Sequence, residues 1–186
     1  MTDRELLDLF HDGKRERAFT LIIETYQQKV YWHIRRIVRD HDDANDVMQN
    51  TFMKVWNGLE NFRADSQLFT WLYRIATNET ITFINYKTKK ATISFDGTDT
   101  GDDEDSYSPS NYIKGDSHQI DGDDIQARLQ KAIDNLPEKQ KIVFSLRYYD
   151  EMPYEEMSRV LETSEGALKA SYHHAVKKIE DFMLNH

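Results

Sequence analysis

Basic and hydrogen-bonding side chains recur at a helical spacing near the C-terminus. Lys169, His173 and Lys177 are four residues apart, which places them on one face of an α-helix. Lysines neutralise phosphates, and hydroxyl and imidazole groups hydrogen-bond to base edges, so this face suits duplex DNA. A solvated face of an ordinary helical hairpin would show the same spacing. The residues that flank the face are Glu165, Ser171, His174 and Lys178.

A second group of side chains combines carboxylates with amides. Its members lie beside an apolar stripe and are Asp42, Asp43, Asp46, Gln49 and Asn50. Such a surface suits a protein partner that presents arginines, with Asp46 as the main charge pair. The alternative interpretation is a face that is merely solvated.

Aromatic and basic side chains are interleaved between residues 61 and 90. Rings such as Trp71 can stack on unpaired bases, while cations such as Arg63 and Arg74 contact the phosphate backbone. A loop pocket of this kind could also hold an extruded base. We expect Trp56 and Phe69 to lie mostly in the core. Trp71 fits either a core position or stacking on a base.

The elements that must position these groups are predicted to be helices, because apolar residues recur at helical spacing. Ser66 and the pair Thr163–Ser164 are suited to N-caps, and Pro137 and Pro153 to first helical turns. The last two helices have helix-turn-helix proportions, in which the second helix enters the major groove. The predicted helices cover residues 3–12, 16–39, 42–57, 66–89, 123–136, 137–149, 153–161 and 165–184.

The charge distribution predicts two domains and a linker. The net charge of −9 argues at first against nucleic acid. Residues 91–124, however, hold one lysine and ten acids, a balance of −9, so the whole excess lies there. This segment cannot bury enough apolar surface to offset its ordering entropy. We therefore expect an all-α protein with a helical bundle in residues 1–90, an acidic flexible linker in 91–124, and a four-helix domain with a helix-turn-helix in 125–186.

Several classes of function and site are excluded or disfavoured. The chain of 186 residues has no cysteine, which excludes disulfides, thiol catalysis and cysteine-ligated zinc. His173 and His174 are adjacent, so they point in different directions, and we expect neither metal nor cofactor. No phosphate loop or nucleophile–base pair indicates an enzyme. The acidic N-terminus lacks a signal region and no apolar run is long enough to span a membrane, so we expect a cytoplasmic protein.

Three segments resemble the sigma-70 family, and specifically its extracytoplasmic function (ECF) group. Residues 43–56 resemble its core-polymerase-binding helix, with the sequence DANDVMQNTFMKVW. Residues 69–78 resemble its −10 promoter region, with the sequence FTWLYRIATN. Residues 136–140, 154–157 and 165–175 resemble region 4, which reads the −35 element. The segments occur in the family's order, and the resemblance covers about four fifths of the chain.

The resemblance implies a non-catalytic transcription initiation factor whose site residues fall into three sets. The first domain would dock on a coiled coil of the largest RNA polymerase subunit through Asp42, Asp43, Asp46, Gln49, Asn50 and Phe52. It would capture −10 DNA through Asn61, Phe62, Arg63, Gln67, Trp71, Arg74, Asn78 and Lys87. The second domain would rest on the flap of the other large subunit and read −35 DNA through Glu165, Gly166, Lys169, Ser171, His173, His174 and Lys177.

The resemblance also implies an anti-sigma factor as a partner and a linker that threads a polymerase channel. The chain departs from the family pattern at Asn45 and Asn50, where acids are common, and at Ser171 and His174, where arginines are frequent. Two alternatives stay open. One is a stand-alone helix-turn-helix regulator that binds duplex DNA without polymerase, and the other is a helical interaction module that binds no DNA.

Overall fold

The computed structural model describes residues 3–62, 65–96 and 122–185, and within these ranges the regular structure is entirely helical. The N-terminal part comprises α1 (Asp3–His11), α2 (Arg15–Val38), α3 (His41–Leu59) and α4 (Leu68–Asp96). The C-terminal part comprises α5 (Gly122–Asp134), α6 (Glu138–Phe144), a π-helical turn (Ser145–Tyr149), α7 (Tyr154–Leu161) and α8 (Glu165–Asn185). The predicted all-α class is confirmed.

Several helix ends differ from the prediction. Helix α4 begins at Leu68, two residues after the expected cap Ser66, and it continues to Asp96 instead of ending at Lys89. Residues 90–96 contain neither glycine nor proline, so nothing in this stretch ends the helix. Pro137 and Pro153 have extended ψ angles of 144° and 148°, and therefore precede α6 and α7 instead of lying in their first turns. Linker residues 97–121 lie outside the described residues.

The N-terminal helices form a bundle around α2, which packs against α1, α3 and α4. The apolar stripe of α2 supplies Ile22, Val30 and Ile34, all fully buried. Helix α3 starts with a side-chain cap, because the Asp40 carboxylate accepts a hydrogen bond of 2.9 Å from the Asp43 backbone N–H. This bond lowers the pKa of Asp40. The cap fixes the start of α3 and, with it, the positions of the acidic and amide residues on this helix.

The C-terminal helices pack around α8, which contacts α5, α6 and α7. Phe144 lies between two tyrosine rings, stacked at 5.0 Å on Tyr148 and at 5.8 Å on Tyr172. The turn between α7 and α8 contains Glu162 in the left-handed region, at φ 51°. The Ser164 hydroxyl then accepts a hydrogen bond of 3.3 Å from the Ala167 N–H, which confirms the predicted cap at the start of α8.

The two parts pack directly on each other. Helix α4 lies against α7, and α2 contacts the π-helical turn. A continuous apolar core includes α2 and α4 residues together with a C-terminal set, whose buried members are Ile142, Val143, Leu146, Met152, Met157, Val160 and Leu168. This contact is not indicated by the sequence pattern, which predicts only two domains joined by a linker.

Candidate nucleic-acid interface

A cavity of about 350 Å³ lies where the end of α3 meets the start of α4. Four of the expected −10 residues line it, and they are Asn61, Phe62, Trp71 and Arg74. We name this cavity the α4 cavity. Its polar lining also includes Asp65, Ser66, Thr70 and, from the C-terminal part, Arg159. The cavity thus combines two aromatic rings, an amide and two guanidinium groups.

The aromatic wall of the α4 cavity depends on a glycine, Gly58, that is not among the predicted site residues. The Phe62 and Trp71 rings are 4.9 Å apart with planes tilted by 42°. A Cβ atom at Gly58 would lie 2.9 Å from the Trp71 ring, closer than a real Cβ contact. Gly58 therefore allows Trp71 to lie against the end of α3. A glycine near the end of a helix, followed 13 residues later by tryptophan, gives no recognisable signal in a single sequence.

Other residues of the expected −10 set lie outside the α4 cavity lining. Gln67 is exposed just before α4, and Asn78 is exposed on α4, where it follows Arg74 by one helical turn. Lys87 follows Asn78 by nine residues, about two and a half turns, and so projects from the opposite side of α4. It pairs there with Asp43 of α3. Arg63 lies outside the described residues.

Helix α3 exposes a polar face beside an apolar groove. The exposed residues are Asp42, Asp46, Gln49 and Asn50, and we name them the α3 face. Asp43, expected in the same set, is turned toward Lys87, and Phe52 is only 8% exposed and packs in the core.

The groove beside the α3 face is open and apolar. Phe52 contributes an edge to it, together with Phe19, Met53 and Trp56. Met53 is 59% exposed and Trp56 is 38% exposed. The expectation that Trp56 lies mostly in the core is therefore wrong, because its ring covers Phe19 at 4.9 Å from the outside of the bundle. Helix α3 thus supplies the polar face and most of the groove, while Phe19 of α2 completes the groove.

Helix α8 presents most of the expected −35 residues to solvent. Gly166, His173, His174 and Lys177 are exposed, and we name them the α8 face. Lys169 lies at its edge, where its Nζ pairs with Glu165 at 3.3 Å and lies 5.4 Å from the centre of the Tyr154 ring. Ser171 is half-buried on the flank next to the core residues Leu168 and Ala175. The buried stripe of α8 thus orients the α8 face outward.

Among residues 3–62, 65–96 and 122–185, no three His, Cys, Asp or Glu side chains are placed so that they could hold a metal ion. In the same part of the chain, no helix combines the length and apolarity that crossing a membrane requires.

Two family models match the chain in order along the sequence. The model for sigma-70 region 2 matches residues 22–90, and the model for sigma-70 region 4 matches residues 126–179. The chain belongs to the sigma-70 family. It is a transcription initiation factor that directs RNA polymerase to promoters. A stand-alone regulator or a helical module that binds no DNA would not explain both matches.

Named relatives place this sigma factor in the ECF group. It is 30% identical over 181 residues to the RNA polymerase sigma-H factor of Pseudomonas aeruginosa, covering 96% of this chain and 92% of that protein. It is 29% identical over 185 residues to the ECF RNA polymerase sigma-E factor of Haemophilus influenzae, covering 97% and 95%. The resemblance inferred from the three segments is confirmed.

Solved structures share the fold of this sigma factor. The sigma factor RpoE of Bartonella quintana, in complex with the anti-sigma factor NepR, has a TM-score of 0.68 at 18% identity, covering 90% of this chain and 97% of that one. CnrH, in complex with the cytosolic domain of CnrY, also has a TM-score of 0.68, at 20% identity, covering 97% and 96%.

Proposed function

We propose that this sigma factor divides promoter-directed initiation among three surfaces. The α3 face docks on core polymerase, the α4 cavity takes a base of the −10 element, and the α8 face reads the −35 element. The observation that carries the proposal is the α4 cavity, where residues from two helix ends and the intervening loop converge. We also propose the domain limits 1–90, 91–124 and 125–186, which the two family matches support.

The α4 cavity has the chemistry of a pocket for an extruded base. Phe62 and Trp71 offer aromatic faces for stacking, and base–aromatic stacking contributes about 1–3 kcal/mol per base. Asn61 can donate to and accept from a base edge. Arg74 is exposed at the rim, where a guanidinium can pair with the backbone phosphate. An unstacked base of the melted strand therefore finds stacking, hydrogen bonding and charge together.

The α3 face suits the largest polymerase subunit because it combines charge with an adjacent apolar groove. Asp42 and Asp46 can pair with arginines, while exposed Met53 offers apolar surface for a partner helix. The family resemblance identifies that partner as a coiled coil. Asn45 and Asn50 stand where the family pattern commonly has acids, so this surface of α3 is less negative. Asp46 therefore supplies a larger share of the attraction.

The α8 face suits the −35 major groove, with the C-terminal domain resting on the flap of the other large subunit. Lys177 can neutralise a phosphate, and His173 and His174 can hydrogen-bond to base edges. Gly166 leaves open space at the start of α8, since nothing lies within 4 Å of a Cβ placed there. The N-terminus of the recognition helix can therefore approach the DNA closely.

We further propose an anti-sigma factor as partner, a cytoplasmic location and the absence of catalysis. In one of the solved structures compared above, a sigma factor is bound to an anti-sigma factor, and in the other, CnrH is bound to the cytosolic domain of CnrY. Ten acids in the 91–124 segment suit passage through a positively charged polymerase channel.

The docking proposal is tested with the reversed charge Asp46→Arg. Like-charge repulsion should then abolish capture of the sigma factor by immobilised core polymerase, while circular dichroism stays helical. Asp8→Arg is the matched control, because Asp8 is an exposed acid on a different helix, α1. Undiminished capture of Asp46→Arg would remove the α3 face from docking.

A further inference from the structure

A polar cluster holds the two domains together around one carboxylate. Asp150 follows the π-helical turn, and its side chain is only 6% exposed. Its Oδ2 accepts a hydrogen bond of 2.9 Å from His33 Nδ1, and its Oδ1 accepts one of 3.1 Å from Arg36. Tyr73 also donates to Oδ1, at 3.4 Å. Three residues of the N-terminal domain thus converge on a single C-terminal carboxylate.

The N-terminal side of this cluster is built to receive a carboxylate. His33 is fully buried, and its second ring nitrogen lies 2.9 Å from the Thr77 hydroxyl. Because an ionised carboxylate only accepts, Nδ1 must donate to Asp150. Burial and the nearby Asp150 charge together raise the pKa of Tyr73, so its hydroxyl stays a donor. Without Asp150, the fully buried His33 Nδ1–H would lose its acceptor, whereas the Tyr73 hydroxyl could still donate to Lys29 O at 3.4 Å.

The π-helical turn places Asp150 at this contact. The Asp150 N–H donates to Ser145 O, five residues back, over 3.2 Å. The wider turn adds one residue relative to an α-helix and shifts the direction of the side chains that follow. Glu151 then adopts a positive φ of 51°, and Met152 returns to the core. The backbone departs from regular helix where the carboxylate meets the N-terminal domain.

A second polar contact lies at the α4 cavity itself. Glu156 of α7 accepts a hydrogen bond from Thr70, one of the residues that line the α4 cavity. Arg159, one turn further along α7, also lines the cavity and pairs with Glu156 at 3.2 Å. Helix α7 therefore lies against the site proposed for the −10 base, with the Glu156 carboxylate bonded to the first turn of α4.

This closed arrangement cannot contact both promoter elements at once. Elements centred at −10 and −35 are about 25 base pairs apart, or roughly 85 Å at 3.4 Å per base pair. A compact chain of this length has a radius of gyration of about 16 Å. Reading both elements therefore requires α7 and α8 to move away from α4.

We propose that Asp150 and Glu156 form a latch that keeps the free sigma factor closed, with α7 over the α4 cavity, and that the latch must break before a −10 base can enter. This inference rests on the proposed role of the α4 cavity. The latch is polar, so its groups can regain hydrogen bonds to water when the domains separate. The contact also buries apolar side chains such as Leu146, Met157 and Val160, so the latch is the polar part of a mixed interface.

Interdomain distance in the full-length chain tests the latch without DNA. Since the chain has no cysteine, a donor and an acceptor dye can be attached at Asn85→Cys on α4 and Glu180→Cys on α8, both exposed positions. Asp150→Ala combined with Glu156→Gln should lengthen the dye-to-dye distance. Glu155→Gln is the matched control, because its exposed side chain pairs with Arg159 within α7, and the distance should stay short.

The same variants test whether opening exposes the cavity. With a fluorescent single-stranded −10 oligonucleotide and no polymerase, the double variant should bind roughly tenfold more tightly, as expected if about a tenth of the wild-type chain is open. Adding Arg74→Ala should remove that gain.

A short dye-to-dye distance in both the wild type and the double variant contradicts the latch. A long distance in both contradicts it as well. So does separation of the domains without any gain in DNA affinity. If Asp150→Ala loses helical circular dichroism, Glu156→Gln alone decides, because Glu156 lies at the edge of the contact. Run-off transcription with core polymerase, measured in parallel, reports the proposed function separately from the dye distance.

Discussion

At the scale of single residues, geometry separates side chains that the family pattern grouped together. Lys87 and Arg74 are both basic residues of α4, yet Arg74 lines the α4 cavity and Lys87 pairs with Asp43. Asp43 in turn was expected on the docking surface beside Asp46. Motif matching identified the positions, but the direction of each side chain depends on turns of the helix and on neighbouring helices.

The two basic residues should therefore respond differently to substitution. Lys87→Met removes an ion pair with an exposed lysine, so it should lower the free energy of unfolding by less than about 1 kcal/mol and leave −10 DNA affinity of the holoenzyme unchanged. Arg74→Ala should weaken that affinity without affecting stability. Denaturant unfolding and fluorescence anisotropy measure the two effects. Equal losses of affinity in both variants would contradict the assignment of the α4 cavity.

Lys141 should give the protein a distinctive response to alkaline pH. Burial, followed by the charge of Arg39 in the other domain, lowers the pKa of Lys141 to about 8. Between this pKa and the ordinary lysine value near 10.5, the unfolded chain binds more protons than the folded chain, so folding stability from this group rises with pH. Thermal unfolding from pH 7.5 to 9.5 should show that rise in the wild type, relative to Lys141→Met. Parallel pH profiles would contradict it.

At the scale of elements, sequence periodicity located the helices well but not their ends or neighbours. The residues Leu168, Ala175 and Ile179 recur at helical spacing and are buried, and this orients the α8 face. The extension of α4 to Asp96 and the π-helical turn were not predicted. A π-helical turn depends on one extra residue accommodated by tertiary packing, which the local periodicity does not reveal.

Gly58 lies on α3 beside the aromatic wall of the α4 cavity. Gly58→Ala should therefore affect −10 recognition without lowering stability. Alanine favours a helix over glycine by up to about 1 kcal/mol, so stability should be kept or raised. The added Cβ would displace the Trp71 ring and disturb the aromatic wall, so −10 recognition should weaken. Gly166→Ala is a useful control for stability, since a Cβ there meets nothing within 4 Å. Normal promoter opening by Gly58→Ala would show that the ring position is unimportant.

At the scale of the whole molecule, the domain contact is what the sequence could not show. Helical periodicity predicts that Val143, Leu146 and Met157 are core residues of their own helices. It does not indicate which partner covers them. The polar residues of the contact, such as Asp150 and His33, are 117 positions apart. Only the folded chain shows that the proposed −10 and −35 surfaces belong to one closed unit that must open.

Run-off transcription from a library of randomised promoters, with purified core polymerase, tests the central claim most directly. The wild-type chain should enrich two separated sequence elements, and no transcript should depend on the chain when core polymerase is omitted. Trp71→Ala should lose preference at the −10 element alone, and His173→Ala should lose preference at the −35 element alone. Enriched sequences that stay the same in both variants would contradict the assignment of promoter reading to the α4 cavity and the α8 face.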